Sequence, residues 1–288
     1  LSGEIPKGIA QHLPTVVTIH DLIFMRYPQW YSYFDRKIHY KKFLYAAQNA
    51  QHIIAISEQT KRDIITYLGV PEEKITVVYQ GCHKAFKNTY TSTEKAAIRE
   101  KYQLPDRFVL NVGAIESRKN ALEIVKAIEP LEYMSLVLVG KPTQYYEEIK
   151  RYCESHNLSE RVQLLSGVSM EDLAIIYQLA TVFCYPSVFE GFGIPIIEAL
   201  FSKTPVITSK GSCFPEAGGA HSIYVNLDRA ATEIREAIVN ITTDEALRTT
   251  MITEGYHYAQ RFTDEAVFQE LMKVYEQVLG LACEGTGG

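Results

Sequence analysis

Short apolar runs alternate with longer amphipathic stretches along nearly the whole chain. Three runs near the amino end, 15–19, 52–56 and 75–78, are rich in β-branched residues and bounded by turn residues, which indicates buried strands. Between them, the pattern favours helices over 31–49 and from Ser57 to about residue 68. This order of strand, helix, strand, helix and strand predicts that the strands pair in parallel.

The same alternation resumes after a connection at 79–87 and supplies further strands. The predicted strands are 108–112, 136–139, 162–165, 181–184, 205–207 and 223–225. Six strands with crossover helices make a complete doubly wound sheet, whereas the first region supplies only half of one. We therefore predict an α/β fold of two Rossmann-like, doubly wound domains, the first of them incomplete.

Domain boundaries follow from this pattern. Residues 1–82 are predicted to form the carboxyl half of a first domain, and 83–262 a second domain. Residues 263–288 are predicted to form a long amphipathic helix followed by a flexible tail. Because the element at 15–19 resembles a strand from the middle of a domain, we interpret Leu1 as an internal start. The amino half of the first domain would then lie outside this sequence.

Composition and charge narrow the function. The 288 residues are 47% hydrophobic and 22% charged, which is ordinary for a soluble protein with two cores. A net charge of −5 provides no overall basic field, so nucleic acid is not an expected partner. The five cysteines lack a metal-binding or paired spacing, which favours a reducing compartment such as the cytoplasm. The sequence shows no apolar run long enough to span a membrane and no signal peptide.

The run 189–200 contains the most informative group of candidate functional residues in the chain. Glu190 and Glu198 lie eight positions apart, with two glycines and a proline between them. A short buried strand precedes this run, and Pro195 suits the first turn of a helix that begins at about Gly193. Glu190 is then expected in the loop before the helix, and Glu198 about one turn inside it.

The start of this predicted helix suits an anion. The exposed amides of Phe192, Gly193 and Ile194 would combine unpaired N–H groups with the positive end of the helix dipole, which favours a phosphate. The alternative is an ordinary strand-to-helix turn with one solvated glutamate and one glutamate stabilised by the dipole.

The string Glu-Gly-Phe-Gly-Ile-Pro followed by Glu-Ala resembles the E-x7-E signature of the retaining glycosyltransferases of family 4. That family has the GT-B fold, in which two Rossmann-like domains face a cleft, and uses a nucleotide-sugar donor. Its terminal helix crosses back to the first domain, so the resemblance implies the same for the helix within 263–288. In the family, the first glutamate and the glycine-flanked amides meet the donor sugar and its phosphate, and the second glutamate holds the ribose. The resemblance therefore implies donor contacts at Glu190, Gly191, Phe192, Gly193, Ile194 and Glu198.

A second constellation, 111–120, places Gly113 directly after a predicted strand and Arg118 and Lys119 at the start of the next helix. Ligands bind at this carboxyl edge of a parallel sheet. The segment resembles the family's Gly-Arg-x-x-x-x-Lys phosphate clamp, with Lys119 at the lysine position and Ala114 at the position of the usual arginine. Arg118 is a candidate for the second charge, and a solvated pair of cations is the alternative.

Lys119 and the amides at the Gly193 helix together would neutralise a leaving diphosphate without a divalent ion. The chain has no Asp-x-Asp motif, which agrees with a site that needs no metal and no cofactor besides the donor.

Three further positions take their interpretation mainly from the resemblance. It places a histidine such as His20 near the donor sugar and the acceptor, although a His-Asp pair after a strand is also typical of a loop contact or a cap. It places main-chain contacts to the nucleobase at Val168, in a turn before the helix-capping pattern that begins at Ser169. Lys203 stands where family members usually have glycine.

The predicted helix near the amino end combines cations with aromatic residues over 35–43. Such a face is able to attach peripherally to anionic lipid, whereas the alternative is a solvated helix face.

The resemblance implies an enzyme that moves a sugar from a nucleoside diphosphate sugar to a hydroxyl acceptor, with retention at the anomeric carbon. The expected acceptor is a glycan or a lipid-linked glycan in cell-surface polysaccharide or glycolipid synthesis. His20 and Glu190 are the candidate catalytic residues. The expected location is the cytoplasm, with peripheral contact at the inner face of the membrane. A sugar-nucleotide epimerase of the same architecture and a non-catalytic nucleotide-sugar binding module remain alternatives. A chain that lacks the amino half of its first domain is expected to be inactive by itself.

Overall fold

The computed structural model describes residues 14–280, so the expected internal start at Leu1 and the tail lie outside the described residues. The strands in this part of the chain are β1 (Val16–Ile19), β2 (His52–Ala55), β3 (Ile75–Val77), β4 (Phe108–Val112), β5 (Ser135–Val139), β6 (Val162–Leu165), β7 (Val182–Tyr185), β8 (Val206–Ser209) and β9 (Ile223–Val225). The helices are α1 (Ile23–Arg26), α2 (Tyr33–Asn49), α3 (Glu58–Leu68), α4 (Ser92–Tyr102), α5 (Ala121–Ile128), α6 (Tyr146–Ser155), α7 (Met170–Leu179), α8 (Ile194–Phe201), α9 (Phe214–Gly218), α10 (Ala230–Thr243), α11 (Glu245–Ala259) and α12 (Asp264–Leu279).

The chain divides into two compact units. The first comprises Leu1–Gly81, Phe189–Phe192 and Arg261–Gly288, and the second comprises Cys82–Val188 and Gly193–Gln260. The sequence prediction used contiguous segments, with boundaries after residues 82 and 262, and did not foresee that four residues of the 189–200 run belong to the first unit.

The first unit contains a parallel sheet in the order β1-β2-β3. Successive residues of a strand point to opposite faces of the sheet. Ile53 accordingly packs in the cluster that contains Ile64 of α3, whereas Ile54 packs with Val274 of α12. Because helices cover both faces, all of β2 is buried, which explains its uninterrupted apolar run.

The second unit contains a parallel sheet in the order β6-β5-β4-β7-β8-β9. This order matches the doubly wound Rossmann arrangement, in which the strand order reverses between the first and fourth strands. Here the reversal lies between β4 and β7, which pair in parallel through Val109 and Val182. The carboxyl ends of these two strands lead into the segments that contain Lys119 and Gly193, so both begin at the topological switch point.

Local capping sets several helix starts. The hydroxyl of Ser57 accepts a hydrogen bond from the amide of Thr60 at 3.0 Å and caps α3, and Ser169 caps α7 in the same way, as the sequence predicts. Helix α2 begins at Tyr33 rather than near residue 31, because a 3₁₀ turn at Pro28–Trp30 precedes it and Ser32 caps it. No helix within residues 14–280 is both long enough and apolar enough to cross a bilayer.

Candidate functional site

Lys119 in the second unit follows β4 and turns inward. It ends a 3₁₀ turn at Ser117–Lys119, and only 9% of its surface is exposed. Its amine donates to the hydroxyl of Tyr185 at 3.1 Å and lies 5.3 Å from the centroid of that ring. A Cβ atom at Gly113 would stand 2.5 Å from the amine, and Gly113 has a φ of +129°. Gly113 therefore leaves the space in which the lysine amine sits at the end of β4.

Arg118 is placed differently from its neighbour. Its Nε donates to Oε2 of Glu116 at 2.9 Å, in an ion pair that keeps partial contact with water. Its carbonyl accepts from the amide of Val188 at 2.8 Å, which ties the segment after β4 to the segment after β7. The structure therefore separates the two predicted cations, since Arg118 pairs with a surface carboxylate while Lys119 enters the interior.

Helix α8 begins at Ile194, with Gly193 as its N-cap residue. Gly193 has a φ of +113°, a conformation that side-chain-bearing residues rarely adopt. Pro195 lies in the first turn, where a residue without an N–H group is tolerated. Within this turn the amide of Ile196 donates to the carbonyl of Gly193 at 2.9 Å. The amides at the start of a helix have no carbonyl of a preceding turn to bind, which is the property that an anion site uses.

Glu198 lies on the inner side of α8, with 8% of its surface exposed. The hydroxyl of the buried Tyr177 donates to its Oε2 at 2.9 Å. Burial raises the pKa of Glu198 to about 7, although the hydrogen bond from Tyr177 acts in the opposite direction. The structure therefore does not show a glutamate whose ionised form the helix dipole stabilises at this position, because burial favours the neutral form of the enclosed carboxyl group.

Val168 lies in the loop that joins β6 to α7. It is half-buried, and the preceding Gly167 has a φ of +71°. The loop leaves the carboxyl edge of the second unit's sheet, the same edge as the Lys119 segment, with β5 between the two strands. Its predicted main-chain contact with a nucleobase stays a prediction.

His20 in the first unit is exposed and follows β1 directly. Its Nδ1 lies 3.4 Å from Nε2 of Gln80. The carboxylate of Asp21 accepts from the amide of Ile23 at 3.0 Å, so the aspartate of this pair acts as a local cap. The histidine ring is left facing outward, which is compatible with a role toward a ligand.

The main chain of His20 meets that of Gly191 within the first unit. A Cβ atom at Gly191 would overlap the carbonyl oxygen of His20, so only glycine permits this approach. The hydroxyl of Ser57 donates to the carbonyl of Gly191 at 2.6 Å, and the hydroxyl of Thr60 donates to the carbonyl of His20 at 3.1 Å. Sequence reasoning identified Ser57 only as a helix cap and missed Thr60, because Ser57 and Gly191 are 134 positions apart.

Two buried phenylalanines flank Glu190 in the first unit. Phe192 stacks on Tyr79 with ring centroids 5.2 Å apart and meets Phe262 edge-on at 5.6 Å. Phe189 packs against Tyr27 at 5.6 Å. The half-buried glutamate between them therefore has a main chain that is fixed on both sides.

Comparisons with known proteins identify the family of the chain. The sequence model of the family described as Glycosyl transferases group 1 matches residues 94–258, and that of Glycosyltransferase Family 4 matches residues 5–85. The chain belongs to the group 1 glycosyl transferases. It is 30% identical over 214 residues to the O-antigen chain mannosyltransferase RfbU of Salmonella typhimurium, covering 74% of this chain and 56% of that protein. It is 27% identical over 247 residues to the serotype-specific mannosyltransferase WbdA of Escherichia coli, covering 81% of this chain and 29% of that protein.

Solved structures give the same fold. The crystal structure of Anabaena Alr3699/HepE in complex with UDP and glucose has a TM-score of 0.78 and 19% identity, covering 93% of this chain and 72% of that one. WaaG, a glycosyltransferase involved in lipopolysaccharide biosynthesis, has a TM-score of 0.70 and 17% identity, covering 96% and 76%. These likenesses confirm the predicted GT-B fold class. The chain spans about half the length of RfbU and less than a third of WbdA.

Within this family, the structure groups the predicted residues into one set per unit. In the second unit Gly113 contacts Lys119, and the start of α8 follows the neighbouring strand β7, whereas in the first unit the main chains of His20 and Gly191 meet. Among residues 14–280, no three His, Cys, Asp or Glu side chains are arranged to hold a metal ion. Whether the reaction proceeds without a metal stays a prediction.

Proposed function

We propose that this protein transfers a hexose from a nucleoside diphosphate sugar to a hydroxyl group of a glycan or lipid-linked acceptor, in the synthesis of cell-surface polysaccharide or glycolipid. The observation that carries the proposal is the buried amine of Lys119 at the switch point of the second unit. This amine donates to Tyr185 at the carboxyl edge of a Rossmann-like sheet, where such sheets bind their ligands, and a diphosphate is the anion that suits this edge.

The second unit would hold the donor. The ammonium group of Lys119 and the first-turn amides at Gly193 and Ile194 would neutralise the negative charge that develops on the leaving diphosphate, so that no divalent ion and no cofactor are needed. The carboxyl group of Glu198 would accept hydrogen bonds from the ribose hydroxyls, and Val168 would meet the base through its main chain.

We assign the sugar-facing roles to the first unit. Glu190 would bind the donor sugar, and His20 would orient a hydroxyl group or assist its proton transfer. The contact between the main chains of His20 and Gly191 supports a common task for these two segments. We further propose that transfer retains the configuration at the anomeric carbon, which is a property of the resembled family.

The relatives narrow the donor class. RfbU and WbdA are mannosyltransferases, and the structure of Alr3699/HepE contains UDP and glucose, so a hexose donor is the proposal for this chain. Transfer is proposed to occur on the cytoplasmic side, at the inner face of the membrane.

Titration calorimetry with GDP and UDP tests the donor site, because a bare diphosphate requires only the second unit's residues. We expect binding of at least one diphosphate, with equal affinity in Mg²⁺ and in EDTA. Affinity that disappears with EDTA would refute the metal-free clamp, and binding of neither nucleotide under either condition would refute the donor site.

Proton NMR of GDP-mannose and UDP-glucose separates the alternatives. A transferase that uses water as a slow acceptor releases the diphosphate and a free sugar, first in the retained anomeric form. An epimerase yields a sugar with an inverted ring hydroxyl, and a binding module leaves the donor intact. Release of the diphosphate and of the sugar in its retained form, by this chain or by a longer form of it, supports the proposed reaction. The other two outcomes contradict it.

A further inference from the structure

A small cavity in the second unit lies at the end of α8, away from the residues that the donor would meet. Its volume is about 160 Å³, and Ser202 and Lys203, which follow the helix, form part of its wall. The candidate donor amides are at the start of the same helix, and eight helical residues place the two ends about 12 Å apart. The cavity is therefore separate from the donor site.

The wall of this cavity carries positive charge. Lys87, Lys95 and Lys203 line it, and within residues 14–280 no aspartate or glutamate does. Lys95 and Lys203 form no ion pair with a carboxylate in that part of the chain. Three lysines around one concavity, in a chain with a net charge of −5, favour an anion at this place.

The buried hydroxyl of Ser202 is an independent sign of a ligand. Ser202 is only 4% exposed, and its oxygen has no hydrogen-bond partner among the described residues. The hydroxyl of Thr204, two positions on, instead donates to the carbonyl of Tyr177 at 2.7 Å. A buried polar group without a partner lowers stability, and such groups are rare in folded proteins. A ligand with an acceptor oxygen in the cavity would supply the partner that Ser202 lacks.

The cavity is formed by segments that other contacts hold in place. Nε2 of Gln178 donates to the carbonyl of Asn88 at 2.7 Å, which fixes the chain next to Lys87. Lys203 has a φ of +58°, and its amine lies 4.9 Å from the centroid of the Tyr256 ring. A side chain held in this strained conformation is most often found at a functional site. The recess therefore exists before a ligand enters it.

We propose that this lysine cavity, made of Lys87, Lys95, Ser202 and Lys203, binds the phosphate group of a small ligand, either free phosphate or a sugar phosphate. A phosphate monoester carries close to two negative charges near pH 7 and three strong acceptor oxygens, which suits several ammonium groups and one hydroxyl donor better than a carboxylate does.

Size and charge set the limits of this site. The cavity is too small to enclose a nucleoside diphosphate, because pockets for ligands of drug size hold about 300–1,000 Å³. The negative end of the α8 dipole opposes an anion, so binding depends on the lysines and should weaken as salt screens them. The site goes beyond the proposed function, since binding there requires no glycosyl transfer.

Titration calorimetry with inorganic phosphate, mannose 6-phosphate and mannose tests the proposal, each with and without a saturating nucleoside diphosphate. We expect at least one of the two phosphates to bind with the same affinity in both conditions, and mannose not to bind. The tighter of the two identifies the source of the phosphate group. Binding of neither, or competition by the diphosphate, would overturn the proposal.

Ser202→Ala distinguishes a ligand contact from a structural role. It should weaken phosphate binding by about tenfold or more, yet leave the protein at least as stable as the parent, because it removes a hydroxyl that has no partner. Ser222→Ala is the matched control, since that buried hydroxyl donates to the carbonyl of Gly218 at 2.7 Å. The control should lose stability and keep the phosphate affinity. The reverse pattern would contradict the assignment.

A double variant, Lys95→Gln with Lys203→Gly, tests the charges. It should also weaken phosphate binding by at least about tenfold, and glycine at 203 avoids the strain of the left-handed conformation. Lys126→Gln with Lys150→Gln removes the same charge from α5 and α6, where each lysine pairs with a glutamate, and should bind like the parent. Equal losses in the two double variants, or no loss in the first, would refute the site. Diphosphate affinity should stay constant throughout, so failure here is distinguishable from failure of the donor site.

Discussion

The candidate site residues of the two units differ in their burial and in the contacts that hold them. The second unit encloses its charges, since Lys119 and Glu198 are both buried and each lies within hydrogen-bond distance of a tyrosine hydroxyl. The first unit leaves His20 exposed and fixes the main chain instead, through the hydroxyl groups of Ser57 and Thr60.

This contrast has a physical meaning. Electrostatic interactions are stronger in a buried environment than in water, so a ligand that binds beside buried charged groups depends on them for its affinity. Main-chain contacts contribute little net charge, but they determine where a side chain points. Substitutions in the second unit should therefore change nucleotide affinity, whereas those in the first should change stability and turnover and leave the affinity for a bare diphosphate intact.

The largest expected effect is on Lys119. Lys119→Ala should weaken diphosphate binding by about 1.5–3 kcal/mol, the usual loss for a hydrogen bond to a charged group. Arg118→Ala is the matched control, because the arginine is adjacent and already pairs with Glu116, and it should cost less. Calorimetry in EDTA measures both. Equal affinity of the Lys119 variant and the parent would place this amine outside the site and remove the contrast between the units.

The buried carboxyl group of Glu198 should make stability depend on pH. Its pKa of about 7 lies above the ordinary value of 4.5, so the folded state holds the proton more tightly than the unfolded state. The free energy of unfolding should therefore fall as the pH rises from about 4.5 to 7 and then level off, by about 3 kcal/mol in total. Glu198→Gln, which cannot ionise, should abolish this fall in denaturant titrations.

Ligand binding gives a second test of the ionisation of Glu198. If the ionised carboxylate accepts the ribose hydroxyls, binding should release a proton below pH 7, and calorimetry in buffers of different ionisation enthalpy detects it. Glu190→Gln is the control, since it should leave the affinity for the free diphosphate nearly unchanged and alter only the affinity for the sugar conjugate. Loss of the bare diphosphate in both variants would contradict separate roles for the two glutamates.

Sequence alone predicted the local features of the fold. The predicted strands 108–112 and 162–165 coincide with β4 and β6, because each is a near-continuous apolar run between turn residues. Helix starts at Ser57 and Ser169 were predictable because a cap and its amide partner are only three residues apart.

The site was predictable only in part, because its decisive contacts join distant segments. The spacing of the E-x7-E string places Glu198 on a helix, but the burial that raises its pKa depends on packing around Tyr177. Tyr185, whose hydroxyl accepts a hydrogen bond from Lys119, lies 66 positions away, and no pattern near either residue signals their contact. Periodicity detects which face of an element is buried, but not which partner covers it.

A smaller effect is expected in the first unit. Ser57→Ala removes both the cap of α3 and the donor to the carbonyl of Gly191, and should lower the free energy of unfolding by about 1–2 kcal/mol. Ser32→Ala, which removes the exposed cap of α2 in the same unit, should cost less. Denaturant unfolding measures both variants. Diphosphate affinity should be unchanged in each, and a loss in the Ser57 variant would show that the first unit also determines nucleotide binding.

Lys203 gives the smallest expected effect and tests whether an exposed cation of the second unit affects binding. It has a φ of +58° after α8, where Thr204 N donates to Ala199 O at 2.9 Å and Lys203 N to Leu200 O at 3.1 Å. This is a Schellman cap, which favours glycine at that position and explains why the resembled family usually has one there. The lysine amine lies 4.9 Å from the centroid of the Tyr256 ring, and this contact offsets part of the strain.

Lys203→Gly should be more stable than Lys203→Ala by about 1 kcal/mol, because only the alanine retains the strain of the left-handed conformation. Both variants should bind the diphosphate like the parent in calorimetry, because this cation lies at the surface. Weaker binding by both would mean that burial does not distinguish the cations that meet the ligand from those that do not.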